Sequence, residues 1–461
     1  MSGDPGLSRR LARHAARTRP ADLPAAALAA ARRSLVDAVA VTLATGRWGG
    51  EAQAFVEVAR EAGHGPCTVI GRGFATSAVM AAFANGAMAH VLDFEDTHDP
   101  TLMHPHAAVV PAALAAAESR GGVSGGDLLA AIAVGADLGC RIARGIEGDP
   151  AQGSWYLLPM IGAYGAAAAA GHVLGLDEQQ MVDALSLASC QATYSAELKR
   201  SPASHLRGVR DAYGASAGVT GALLALKGAR GYDRPLEGEA GFYAMHGHRC
   251  DEAAALDGLG TRHFGAEVGF KPWPSCRGTH AHVAAMLHLR EHEGLRAADV
   301  QSLHAVVAPV WRMLCEPAAQ KREPRAVIDA KFSLPFTLAL ALVRGTLRLQ
   351  DFSPESLQDP EVLALAAKLT WEVHPAWTFA DATRGTLVVR TTAGRRLEHH
   401  VDAPPGDPAL PLSPAQTREK FLACAADAEV PVSPAAAAEF LRRCERLEEI
   451  DDVRALLPVL S

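Results

Sequence analysis

Apolar positions recur on a 3.6-residue period through "LPAAALAAARRSLVDAVAVTLAT" (23–45), with Pro24 near its start and Gly46 just past its end, the start and stop signals of a helix. The same period predicts helices over 75–90, 111–119, 126–146, 162–174, 178–192, 213–227 and 280–293. Everything up to about residue 265 therefore reads as packed helices. Beyond it the pattern changes. "SLHAVVAPVW" (302–311) and "TRGTLVVRTTAGRRLEHHVDAP" (383–404) are rich in Val and Thr and partly alternate, and "TTAG" reads as a turn between paired strands. Helical patterns return at 329–345 and 360–369, and again after the Pro-rich linker 402–414. The simplest topology is an α+β domain inserted into a helical one, with segments 1–265, 266–404 and 405–461.

Composition agrees with two domains, because 461 residues exceed the length at which one core usually stops growing. The 49% hydrophobic and 21% charged fractions are those of a globular chain, and abundant alanine favours close-packed helices. Net charge is −7 and Lys and Arg are scattered, so no nucleic-acid partner is expected. The long apolar runs are rich in Ala and Gly and interrupted, so no membrane partner is expected either. The first residues lack the apolar stretch of a secretory signal, which makes the cytoplasm the expected location. None of the eight cysteines has C-x-x-C spacing, and neither a zinc site nor an iron–sulfur cluster is expected from them.

Chemistry concentrates in "AMAHVLDFEDTHDPTLMHPHAAVV" (87–110), with four histidines and four acidic residues. If the helix beginning near Ala75 runs on, His90, Asp93 and Thr97 share one face; Pro100 then breaks it, and a loop carries His104 and His106 to the next helix. A metal site drawn from His90, Asp93, Asp96, His98 or His104 is the alternative, but no motif of matching spacing completes it. A second segment, "GFKPWPSCRGTHAHVAAM" (269–286), carries Lys271, Cys276 and Arg277 ahead of a helix opened by His280. Its cations and free helix-start N–H groups suit an anion, and a Cys276 nucleophile paired with His280 is a second option. In "HLRGVRDAYGASAG" (205–218) the glycines at 208, 214 and 218 lack the strand and the G-K-[ST] ending of a phosphate loop. Small residues for close helix packing explain them better; for His205, Arg207, Arg210, Asp211 and Tyr213 a salt-bridged surface ranks slightly ahead of the edge of a pocket.

These segments, with "IGAYGAAAAAGHVLGLD" (161–177), "LEGEAGF" (236–242), "DAKFSLPFTLALALVRG" (329–345) and "RLEEIDDVRALLPVL" (446–460), together resemble the MmgE/PrpD family in order and over nearly the full length. That family includes 2-methylcitrate dehydratase, cis-aconitate decarboxylase and iminodisuccinate epimerase. The resemblance implies a mainly α protein, a large all-helical domain with a smaller α+β lid, assembled as a homodimer. It also implies a cofactor-free and metal-free site between the domains for a small carboxylate substrate. Carried over by position, its active-site residues fall on Asp93, Thr97, His104 and Lys271.

Two departures follow from the comparison of motifs. In "SWYLLPMIGAYG" Tyr156 stands where many members have a histidine, and Phe336 stands where the decarboxylase has a tyrosine. The shared hard step of the family is proton transfer at a carbon next to a carboxylate, whose charge positioned cations and donors must meet. His104 is the expected proton-transferring group, Asp93 its partner, Lys271 and Thr97 the donors, Arg277 the substrate clamp, and Tyr156 the proton donor to a leaving hydroxyl. Dehydration of a hydroxy-polycarboxylate ranks first on family breadth, epimerisation second, and decarboxylation third because of the two departures. A non-catalytic binding protein on the same fold is the reading from a different class.

Overall fold

The computed structural model describes residues 6–150, 153–201 and 204–460. The chain is mainly α, with a large helical part and a smaller α+β part. Two compact units divide it: one is made of the chain up to Val91, Glu95–Val268 and the chain from Pro414 on, the other of Leu92–Phe94 and Gly269–Ser413.

In the helical unit, seven of the described helices build the core: Ala25–Trp48, Ala78–Val91, Pro105–Arg120, Gly125–Arg144, Leu157–Leu174, Glu178–Ser189 and Asp211–Leu226. Leu157–Leu174 is apolar on every side and packs against Pro105–Arg120, Gly125–Arg144 and Asp211–Leu226. It is long and apolar enough to cross a membrane, contrary to the reading of interrupted runs, but most of it is buried inside the unit. An all-round apolar helix of this kind is a core helix. Alanine and glycine set how closely its neighbour approaches: a Cβ on Gly218 would lie 2.4 Å from the Ala166 side chain and 2.5 Å from the Ala167 nitrogen. The glycine pattern at 208–218 thus serves helix packing. Gly218→Val is expected to cost about 1–3 kcal/mol through overpacking, read as a lower urea midpoint at unchanged slope.

Three local features of this unit differ from the sequence reading. The helix containing Pro111 starts six residues earlier, with Pro105 at its first position, where a missing N–H costs nothing. A hairpin pairs Cys67–Val69 with Phe74–Thr76, and Ile146–Glu147 pairs with Arg249–Cys250, within the stretch read as helices only. The hairpin turn rests on Gly71 and Gly73, both with positive φ, of 69° and 65°.

The α+β unit holds a four-stranded sheet in the order Leu369–Val373, Val300–Val307, Gly385–Thr391, Arg396–Val401. The first pair is parallel and the other two are antiparallel. Gly394, at φ 81°, makes the turn expected in "TTAG". Leu303, Ala305, Leu387, Val389 and Leu397 are buried on one face, and His280–His292 packs against the last two strands. The helix expected over 360–369 stops at Ala366, and "LTWEV" becomes the edge strand, which suits its β-branched and aromatic residues.

Candidate active site

Helix Ala78–Val91 does not run on through the acidic stretch. It ends at Val91, and Asp93 has φ 50°. Asp93 and Leu102 are the non-glycine residues with positive φ among those described, and they bracket the histidine-rich loop. Aspartate tolerates this left-handed region, while leucine there marks a constrained turn. The loop closes on itself: the His98 N–H donates to the Met103 carbonyl at 2.8 Å, and His98 Nδ1 lies 2.7 Å from the Thr101 hydroxyl. His90, Asp93 and Thr97 are therefore not three residues on one helical face.

Within the helical unit the loop builds a buried acid–base network. Glu95 Oε1 lies 2.5 Å from His90 Nδ1 and 2.7 Å from His104 Nδ1, so one carboxylate oxygen serves two imidazoles whose centroids are 4.9 Å apart. His104 Nδ1 also faces the Asp96 carbonyl at 2.9 Å, and the Asp96 carboxylate meets His106 Nδ1 at 2.7 Å. His104 is the exposed end of this network, with 15% side-chain exposure against 2% for both His90 and Glu95. Holding Nδ1 from behind leaves Nε2 as the nitrogen that meets solvent or substrate. Burial and the nearby Arg210 cation pull the His90 pKa down, against the pull of Glu95 and Asp211, which keeps His90 neutral.

Beside the same nitrogen of His90 the network continues through Asp211 and Arg210, which the sequence left between a salt-bridged surface and a pocket edge. Asp211 Oδ2 lies 3.8 Å from His90 Nδ1 and 3.5 Å from Arg210 Nε. Arg210 Nη1 donates to the Tyr156 hydroxyl at 2.9 Å, and its guanidinium lies 5.1 Å from the centre of that ring. Tyr156 itself caps the N-terminus of core helix Leu157–Leu174, and its N–H donates to the Tyr194 carbonyl. Thr97 is buried, and its hydroxyl has no partner among the described residues. An unpaired buried hydroxyl costs free energy that a substrate oxygen can recover.

In the α+β unit, Lys271 is fully buried and its Nζ donates to Asp93 Oδ1 at 2.8 Å and to the Asp93 carbonyl at 3.0 Å. Lys331 Nζ donates to the Leu92 carbonyl at 2.6 Å. Both lysines thus bond backbone carbonyls of Leu92–Phe94 within this unit. Arg277, expected to clamp substrate, is 5% exposed and ion-paired with Asp407 at 3.3 Å. His280 is buried, with Nε2 on the Ser275 carbonyl at 3.2 Å and its ring edge-on to Trp273. Cys276 is a buried thiol outside any disulfide, and its N–H donates to the Lys331 carbonyl.

The carboxylate on His104 is that of Glu95, whereas sequence reasoning gave the role to Asp93, whose carboxylate meets Lys271. Glu95 was legible only as one more acid in the cluster. The donor atoms of His90, Glu95 and His104 lie within 4.8 Å of one another, which is metal-ligand proximity. A zinc ion would hold such atoms roughly 3.4 Å apart, from bonds of about 2.0–2.2 Å. The 2.5 Å separation of His90 and Glu95 is instead that of a hydrogen bond, and the 2.7 Å separation of His104 and Glu95 that of a close ion pair.

Burial holds the His98 pKa at about 4, with Arg144 acting in the same direction and Glu267 and Asp99 opposing, and burial likewise holds His282 at about 4. Both rings are fully buried, and His282 Nε2 faces the Val306 carbonyl at 2.9 Å. In the unfolded chain the same groups titrate near 6.5. Between these values the unfolded chain binds more protons, so stability is complete above about pH 6.5 and falls as pH drops toward 4. Each histidine accounts for up to about 3 kcal/mol of that loss. The expected result is a urea midpoint that falls from about pH 7 to about pH 5, with a shallower fall in His98→Asn.

The helical unit thus holds an oriented imidazole and a guanidinium-bound phenol, and the α+β unit a buried lysine–aspartate pair. The chain matches the MmgE/PrpD N-terminal domain over residues 9–251 and the MmgE/PrpD C-terminal domain over residues 273–445, and it belongs to the MmgE/PrpD family. It is 28% identical to the cis-aconitate decarboxylase-like protein oryM of Aspergillus oryzae, over 96% of this chain and 95% of that protein. It is 30% identical to the cis-aconitate decarboxylase of Aspergillus terreus, over 66% of each chain. The human cis-aconitate decarboxylase is 25% identical over 83% of this chain and 79% of its own.

Proposed function

We propose that this protein is a lyase that moves a proton at a carbon next to a carboxylate, with dehydration of a hydroxy-polycarboxylate as its net reaction. The observation that carries the reading is the pairing of two different acid–base groups in one buried network: His104 held by Glu95, and Tyr156 held by Arg210. His104 Nε2 takes the C–H proton, and the electron pair left on carbon is delocalised into the neighbouring carboxylate. Loss of the β-hydroxyl then forms the carbon–carbon double bond, and Tyr156 supplies the proton that makes the departing group water. The phenol oxygen that gives up this proton already accepts from the Arg210 guanidinium, so the charge it gains meets a fixed cation. Thr97 supplies a further donor for the charge that develops on the substrate.

Decarboxylation is the second reading, favoured by the names of the relatives. It needs only one proton donor, because loss of carbon dioxide leaves a carbanion that a single imidazolium can quench. Proton NMR in D₂O with a panel of hydroxy- and unsaturated polycarboxylates separates the two. Dehydration gives an alkene signal without loss of carbon, decarboxylation gives a product one carbon shorter, and deuterium exchange without net product indicates epimerisation. Tyr156→Phe is expected to lower kcat of a dehydration by about 10²–10⁴-fold with little change in KM. An unchanged kcat in that variant would remove the phenol from the reaction and leave the decarboxylase reading standing.

A further inference from the structure

The N-terminal helix Leu7–Arg17 buries Leu7, Leu11, Ala12 and Ala15 and turns a row of arginines outward. Between this helix and the segment around Leu259–His263 lies a cavity of about 390 Å³, lined by Arg10, Arg13, Arg17, His14, His263 and Asp22 among others. It shares no lining residue with the His104 network.

The charge of this cavity is unbalanced. Arg9, Arg13 and Arg17 all converge on one carboxylate, Glu178, at 3.6, 2.9 and 3.2 Å. Asp22 is already engaged by Arg19 through Nε at 3.1 Å and Nη2 at 2.9 Å. Arg10 adds a further cation at the rim. The floor is polar and incompletely bonded: His263 is 6% exposed, and neither of its ring nitrogens has a hydrogen-bond partner among the described residues. His14 Nδ1 meets the Thr18 hydroxyl at 3.2 Å, and its buried Nε2 lies 3.6 Å from Asp137 Oδ2 without a hydrogen bond. Buried polar groups of this kind are normally satisfied by water or a ligand.

Two ligand chemistries compete for such a floor. His14, Asp137 and His263 place donor atoms within 4.8 Å of one another, as a divalent metal would require. The electrostatics oppose a cation, however. Asp137 Oδ2 is held by Arg141 Nε at 2.6 Å and Oδ1 accepts from the Phe264 N–H at 2.7 Å, so its charge is already met. The rim adds three guanidinium groups to that field. Both imidazoles can instead present an N–H, and guanidinium with imidazole N–H is the donor set that recognises oxyanions.

We propose that this cavity binds a small multivalent oxyanion of the phosphate or polycarboxylate class, with Arg10, Arg13 and Arg17 at the rim and His14 and His263 at the floor. A bound anion would tie the N-terminal helix to the 259–263 segment and stabilise the folded chain by mass action.

Isothermal titration of the full chain with inorganic phosphate, with citrate and with zinc chloride, at matched ionic strength, tests the assignment. The imidazole C2–H resonance of His263, identified by its absence in His263→Gln, reports occupancy at this cavity rather than elsewhere. Saturable binding of phosphate or citrate that moves this resonance, weakened at least tenfold in Arg10→Ala, is the expected result; the two anion arms tell a phosphate site from a polycarboxylate site. Arg10 lies on the outer face of its helix, so that variant keeps the fold, as its circular dichroism and melting would show. Stoichiometric zinc binding that moves the His263 resonance, equal anion affinity in Arg10→Ala, or the absence of a saturable shift with either anion would each overturn the proposal.

Discussion

Replacing His104 with alanine is expected to lower kcat by about 10²–10⁴-fold while leaving the melting temperature close to that of the parent. The imidazole sits at the exposed end of its network, so its removal opens space at a surface that already meets solvent instead of leaving a void in the core. Glu95→Gln keeps the size and one acceptor oxygen but removes the charge that orients His104. A smaller loss is expected from it, and in the double variant the two losses should not add, because Glu95 acts through His104. Steady-state rates on the substrate found by NMR check both statements. Full turnover in His104→Ala would assign proton transfer to another group, and a preserved biological output without any turnover would favour a binding protein on this fold.

Lys271→Met is expected to destabilise the fold by about 3–5 kcal/mol, because it leaves the Asp93 carboxylate buried without its cation. Both partners are almost wholly buried, with side-chain exposures of 0% and 2%, and Asp93 also spends its backbone carbonyl on the same ammonium group. Asp93→Asn combined with Lys271→Met removes both charges and should recover much of that stability. Urea unfolding of the two variants checks both statements. A cost below about 1 kcal/mol in Lys271→Met would mean that the pair is not held as ions.

Acid sensitivity of the fold has a different origin from either change. Loss of stability on acidification comes from histidines such as His98 and His282 that fold in the neutral state, while His104 keeps a path to solvent. His98→Asn should therefore lessen the loss of stability on acidification.

Periodicity located most of the core helices of the first 265 residues and the sheet-rich stretch beyond them, because burial of one face imposes a repeat along the chain, but it missed the helices Leu7–Arg17 and Gln53–Glu61 and the short strands among them. It also marked 87–110 as a concentration of titratable groups, since eight such residues there stand out in a chain dominated by alanine. The fine assignments were not legible. Nothing in the spacing of "HVLDFEDTHDP" shows that the helix stops at Val91, because the stop is set by the left-handed Asp93 and by the local bond between His98 and Met103. Nor does it show that Glu95, and not Asp93, lies behind His104, since a turn of irregular backbone reorders which neighbours face each other. Arg210 and Tyr156 are more than fifty residues apart, and only the packing of Asp211–Leu226 against the start of Leu157–Leu174 brings guanidinium and phenol together. The sequence by itself thus determined the fold class and where titratable groups are concentrated, properties that depend on local periodicity and composition. Tertiary structure alone decided which carboxylate serves which base, because a hydrogen bond requires an approach of about 3 Å that only long-range packing can set.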